Sequence, residues 1–235
     1  MRMLITESTS PDIAALQPSV AVLPVGSFEQ HGGVLPLATD TIVACLIANR
    51  LSTDYGLFLL PPITFSCSHE HAGFPGTVSI SARTLTAVIA DVRASLAASG
   101  ITKLVMVNGH GGNYVLSNVA QEANVGEPRV TLFPGRAEWQ RARDDAGLST
   151  TISEDMHAGE LETSLLLHAA PELVSSARSA ADHLATDRPH LLISGMRGYT
   201  ESGVIGRPSL GTAAKGEVLL NSLAKSFANH LRLLS

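Results

Sequence analysis

Apolar residues in this chain gather in short continuous runs separated by longer stretches of helical period. Val20 to Val25 is one such run and stops at Gly26; Leu57 to Ile63, Lys103 to Val107 and Val130 to Phe133 repeat it. Runs this short, bounded by turn residues, predict buried strands. From Arg83 to Ser99 the pattern changes. Leu85, Val88, Ile89, Val92 and Leu96 recur every three or four residues, which predicts an amphipathic helix with Ser81 as N-cap and Gly100 at its stop. Thr41 to Leu51 is apolar nearly all round and predicts a helix covered on every side. A last helix, Gly216 to Leu234, carries the stripe Leu220, Leu223, Phe227, Leu231 and Leu234. That stripe is expected to pack on the core, with an oligomer contact as the alternative.

Strands alternating with helices predict an α/β fold, a three-layer α/β/α arrangement around a mostly parallel sheet. In such sheets ligands bind outside the carboxyl ends of the strands. The segments that follow the first and third strands, Gly26 to Asp40 and Asn108 to Asn113, should therefore share one rim.

Composition narrows the possibilities. The 235 residues carry 16 lysines and arginines against 21 acids, a formal net charge of -5 with no basic cluster, which argues against a nucleic-acid partner. No linker-like stretch divides the chain, so residues 1–235 are expected to form one domain. The N-terminus lacks the apolar stretch of a signal peptide, and no run is long enough to span a bilayer; a cytoplasmic protein without a membrane partner is expected. Cys45 and Cys67 offer neither a disulfide framework nor a Cys-x-x-Cys pair, and read as small buried hydrophobes.

The candidate chemistry lies in three polar clusters. Leu23 to Thr41 holds Glu29, His31 and Asp40; residues two apart in extended chain point the same way, so Glu29 and His31 can converge while the loop returns Asp40 to them. Carboxylate and imidazole donors this close suggest a transition-metal site. The second cluster, Asn108-Gly109-His110-Gly111-Gly112-Asn113, directly follows a predicted strand. Its glycines can bring backbone close to a ligand, so an anion cradle is the competing reading, although the lysine and hydroxyl of a Walker A motif are absent. The third runs from Asp155 through His157 and Glu160 to Glu162-Thr163-Ser164. If that segment is helical from Glu160, its two glutamates point about 200° apart and do not reach one ion.

These clusters, in this order and together with His71-Ala72-Gly73-Phe74-Pro75-Gly76-Thr77, resemble the creatininase family of metal-dependent amidohydrolases from about Val20 to Leu167, and more weakly through Gly203-Val204-Ile205-Gly206. The resemblance implies a pair of divalent cations held by Glu29, His31, Asp40 and His110, with Asp40 bridging. Zn is the first expectation, and Mn, Fe or Ni suit the same donors. It also implies His157 as the proton-transfer group, with Asp155 or a nearby glutamate to orient it, and a place for His71, Gly111 and Gly112 on the substrate wall. Creatininase proper carries a ligand glutamate two residues after its equivalent of His110, where this chain has Gly112. Glu162 is the preferred replacement and Glu160 the alternative one; otherwise Glu160 stands with His157 as a catalytic group or as a solvated acid in a first helical turn.

The family spans creatinine hydrolysis, deformylation of a pyrimidine intermediate and maturation of the mycofactocin precursor peptide. Creatinine itself is disfavoured, because a tryptophan four residues before the proton-transfer histidine is replaced by Ser153 and the chain's single tryptophan is Trp139. The expectation is hydrolysis of a C–N amide bond in a small cyclic amide or formamide. Processing of a short peptide, as in the mycofactocin branch, is the alternative, and a non-catalytic anion-binding module is the alternative from another class. The resemblance further implies a homo-oligomer, commonly a hexamer.

Overall fold

A computed structural model describes residues 7–234. Four strands, β1 (Val20–Val25), β2 (Phe58–Leu59), β3 (Lys103–Asn108) and β4 (Val130–Phe133), form one sheet in the order β2-β1-β3-β4. Every pairing is parallel, and Val20 to Val25 run in register with Lys103 to Asn108. Side chains of alternate residues enter opposite layers. Val20, Val22, Val105 and Val107 face one core, whereas Ala21, Leu23, Val25, Leu104 and Met106 face the other. A strand buried on both faces has no polar side, which is why these segments read as unbroken apolar runs.

Around the sheet lie α1 (Ser10–Leu16), α2 (Thr39–Tyr55), α3 (Ala82–Ala98), α4 (Val115–Ala123), α5 (Arg136–Asp145), α6 (Glu160–Ala169), the single turn α7 (Leu191–Ser194), α8 (Ala213–Ser226) and α9 (Ala228–Leu234). Helices α3 and α4 cover one face through Leu85, Ile89, Leu116 and Val119. On the other face α2 lies against β1 and β3 and is itself covered by α6 and α8, so its residues from Thr39 to Ala48 are all buried. Ser81 caps α3 as expected, its hydroxyl accepting from the Thr84 amide at 3.1 Å. Val88, in the predicted apolar stripe of that helix, is exposed. Among the described residues no helix is long and apolar enough to cross a membrane.

Two elements differ from the sequence expectation. The strand predicted over Leu57 to Ile63 is reduced to Phe58–Leu59, because Pro61 and Pro62 have no N–H to give the ladder. Pairing resumes only as a bridge from Ile63 to Val25. The helix predicted over Gly216 to Leu234 starts earlier, where Thr212 accepts from the Lys215 amide, and is interrupted at Phe227. Ser226 Oγ donates to the Ser222 carbonyl at 2.6 Å, a back-bond that bends helices.

The start of α2 is seated unusually close to the sheet. A Cβ at Gly26 would overlap the Thr41 backbone, and one at Gly109 would overlap the Asp40 carbonyl. Glycine at the ends of β1 and β3 lets the first turn of α2 settle against both. That contact delivers Asp40 to the carboxyl rim of the sheet.

Candidate metal centre

Seven side chains meet at this rim. Glu29 and His31 come from the loop after β1, Asp40 from the first turn of α2, His71 from a 3-10 turn over His69–His71, His110 from the loop after β3, His157 from the segment before α6, and Glu162 from the first turn of α6. Glu29, His31, Asp40, His71, His110 and His157 are buried. Three donor groups fall within 4.8 Å of one another: Glu29 with Asp40 and His110, His31 with Asp40 and Glu162, and Glu29 with His31 and His157.

Asp40 stands between the first two groups. Its Oδ1 lies 3.3 Å from His31 Nε2 and its Oδ2 lies 3.1 Å from His110 Nδ1. Glu162 Oε1 is 3.9 Å from the same His31 nitrogen, and Glu29 Oε1 is 3.2 Å from His110 Nδ1.

The hydrogen bonds of the imidazoles decide which nitrogen each turns inward. His31 Nδ1 donates to the Glu29 carbonyl (3.1 Å), His110 Nε2 to the Cys67 carbonyl (3.0 Å) and His157 Nε2 to the Gln30 carbonyl (2.6 Å). Each ring is thereby left with its other nitrogen facing the carboxylates, the arrangement in which histidine ligates metals. Both oxygens of the Glu29 carboxylate are buried without a hydrogen-bond partner. A buried anion in that condition costs several kcal/mol unless a cation answers it. The donor set fits divalent cations.

A family model described as creatininase, creatinine amidohydrolase, matches residues 6–231. The chain belongs to the creatininase family. Family members are hydrolases acting on C–N amide bonds, and this chain is an amidohydrolase by that membership. It is 34% identical over 236 residues to a mycofactocin precursor peptide peptidase of Mycolicibacterium smegmatis, covering 96% of this chain and 89% of the relative. A crystal structure of creatinine amidohydrolase superposes with a TM-score of 0.81 at 25% identity, over 98% of this chain and 97% of that one. A creatininase mutant of Zn–Zn type aligns with a TM-score of 0.77 at 25% identity, over 99% and 98%.

Within this creatininase-family site, the sequence candidates divide. Gly111 and Gly112 line a cavity of about 190 Å³ together with Asp40, His71, His157 and Glu162. His71 lies deep in the cluster, 2% exposed, with Nε2 3.2 Å from Glu29 Oε1 and Nδ1 accepting from the Gln30 amide at 3.0 Å. Glu160 is elsewhere. Its fully buried carboxylate accepts from the Ser149 and Thr150 amides and the Thr150 hydroxyl and pairs with Lys215 Nζ at 2.5 Å. It is not a solvated acid, and it belongs to none of the three clustered donor groups, as ligand or beside His157.

Asp155 does not orient His157. It accepts from the Glu160 and Leu161 amides at the start of α6 and pairs with Arg143 at 2.9 Å, so it fixes the helix that carries Glu162. The orienting group is the Gln30 carbonyl, which sequence reasoning missed. Gln30 follows Glu29, and its amide bonds both His71 and the Gly203 carbonyl. The nearby Gly203 to Gly206 segment, a weak sequence signal, forms a short bridge to His157 through Ile205.

Without cations the cluster holds protons. Burial opposes charge on His31, yet Asp40, Glu162 and Glu29 outweigh it and raise its pKa to about 9. Glu162 is pushed up to about 8 by burial, with Asp40 adding to it. Burial and the neighbouring His110 lower His71 to about 4, and burial with His31 and His71 drives His157 well below the imidazole range.

The raised His31 stabilises the fold fully below its ordinary 6.5, an effect lost as pH climbs through about 9. The raised Glu162 penalises the fold progressively from 4.5 to about 8. The depressed His71 and His157 act the other way, but only up to about their ordinary 6.5. Above that range His31 and Glu162 make the cation-free chain less stable with rising pH, whereas cations replace the protons and bind more tightly as ligands deprotonate. The difference in melting temperature between zinc-loaded and chelator-treated protein is therefore expected to widen from about pH 7 to about pH 9. A constant or shrinking difference would count against these ligand assignments.

Proposed function

We propose that this chain hydrolyses a C–N amide bond at a two-cation centre, with Glu29, Asp40 and His110 holding one ion and His31, Asp40 and Glu162 the other. The observation that carries this reading is the placement of Asp40, whose two oxygens face two separate donor groups. A shared anion offsets the repulsion of two adjacent cations. When bound, such a pair acidifies water and polarises an amide carbonyl.

The chain's own residues do the rest. His157, kept neutral by burial and by its histidine neighbours, presents Nδ1 toward the centre while its Nε2–H is held on Gln30. It accepts a proton at Nδ1 from the attacking water and returns it to the leaving nitrogen. Gly111 and Gly112 leave the cavity wall beside His110 free of side chains, so an amide group can approach.

The small cavity adjoins one of about 670 Å³ whose wall includes Tyr114, Arg136, Trp139, Ile152, Met156 and Arg188. A volume in this range suits a ligand much larger than one amide ring. Together with the likeness to a peptide peptidase, it favours the peptide reading over the small cyclic amide or formamide: a short peptide end with its scissile amide at the cations and its remainder along this wall.

Substitution Glu162→Ala tests the two-ion assignment. Elemental analysis should find the divalent content halved, and cleavage of short peptides or formamides lost with it. Unchanged content would remove Glu162 from the ligand set.

A further inference from the structure

The room left by Gly112 is filled by Glu70. A Cβ at position 112 would overlap both Glu70 Oε1 and His110 Nε2, so glycine there is what permits Glu70 its place. Glu70 Oε1 lies 3.4 Å from His110 Nε2, and its side chain is 11% exposed. That nitrogen already donates to the Cys67 carbonyl, while the ring's other nitrogen faces Glu29 and Asp40. The Glu70 backbone is also fixed. It sits in the 3-10 turn His69–His71, and Gly195, at φ 63°, packs so tightly on the Glu70 carbonyl that a Cβ would overlap it.

We propose that Glu70 is a positioning residue for His110, and that Gly112 and Glu70 function as a matched pair. The proposal rests on the reading of His110 as a cation ligand. The Cys67 carbonyl takes the outward N–H at 3.0 Å, and the Glu70 carboxylate stands beside it at 3.4 Å; an anion there favours the ring orientation that keeps the N–H outward and makes the inward nitrogen more basic, and loss of such an outer partner weakens metal affinity by roughly 10–100-fold. Where creatininase proper places a ligand glutamate, this chain has a glycine, and a carboxylate from another segment stands at the back of the histidine.

The test is zinc affinity and stoichiometry by chelator competition on the full chain, for the wild type, Glu70→Ala, Glu70→Gln, Gly112→Ala and the double variant Glu70→Ala with Gly112→Ala. Glu70→Ala is expected to bind zinc roughly 10–100-fold more weakly at unchanged stoichiometry. Glu70→Gln keeps an oxygen acceptor and should lose less. Gly112→Ala should weaken binding at least as much, because its Cβ displaces the carboxylate and also presses on the His110 ring, and the double variant should be no weaker than Gly112→Ala alone, because the Glu70 contact is already lost there.

Losses that multiply in the double variant, or wild-type affinity in Glu70→Ala, would overturn the pairing. A drop to one ion in Glu70→Ala would make Glu70 a ligand and overturn the positioning role. Melting of the chelator-treated proteins identifies a variant that does not fold, in which case Glu70→Gln and Gly112→Ala decide. A wild type that binds no zinc removes the two-cation reading itself, an outcome distinct from any of these.

Discussion

Asp40→Asn is expected to purify without bound divalent ions, and the wild type is expected to hold about two per chain. Asparagine keeps the size of the side chain and one oxygen. It loses the charge, and with it the anion that both donor groups share: His31 on one side at 3.3 Å and His110 on the other at 3.1 Å. Neither Glu29 nor Glu162 can compensate, since each belongs to only one of the two groups that include Asp40. Amide hydrolysis should disappear along with the ions. The measurement is elemental analysis after dialysis, with the melting transition as a control for folding. Retention of both ions in Asp40→Asn would mean that the centre is not built around a shared carboxylate.

His157→Gln should lose roughly two to four orders of magnitude in kcat, the range attributed to a positioned acid–base group, while keeping both ions. This outcome separates two possibilities that geometry places side by side. His157 Nδ1 lies 3.7 Å from Glu29 Oε1, and with Glu29 and His31 it forms a third cluster able to hold a cation. If its task is proton transfer, only the rate falls. If His157 is a ligand, ion content falls too, and the proton must be carried by another group. His31, nearer still at 4.1 Å, is assigned to a cation, which leaves His71 as the alternative, its ring centroid 4.5 Å from that of His157.

The sheet was legible because its signals are local. Unbroken apolar runs at β1, β3 and β4 report strands covered on both faces, and the Ser81 cap reports where α3 begins. The shortening of β2 was missed, although Pro61 and Pro62, which have no N–H for the ladder, mark where it ends. The charged helix α5 was missed too, since Arg136 to Asp145 offers few apolar positions from which to read a period. At the site, the convergence of Glu29 and His31 followed from alternation along extended chain, and that of Asp40 and His110 from the rule that parallel sheets present their ligands at one rim.

What escaped depended on partners far along the chain. The task of Glu160 is set by Lys215, 55 residues away, and that of Asp155, which precedes α6, by Arg143 on α5. Gln30 acts partly through a backbone carbonyl, an atom every residue has, so no residue type announces it. Glu70 lay in plain sight beside His71, but its relation to Gly112 exists only in three dimensions.

The seating of α2 on Gly26 and Gly109 has a consequence for how such a protein can diversify. The position of Asp40 is set largely by backbone resting on backbone, helped by small side chains such as Ser27, whose hydroxyl donates to the Asp40 carboxylate, a joint with little to vary. Arg136, Trp139, Ile152 and Arg188, by contrast, stand on α5 and flanking loops along the wide cavity. Substitutions there can change which molecule is held without shifting the groups that act on it. Inheritance of the centre and drift of the wall can proceed independently, so kinship identifies the bond that is cut far more firmly than the molecule that contains it.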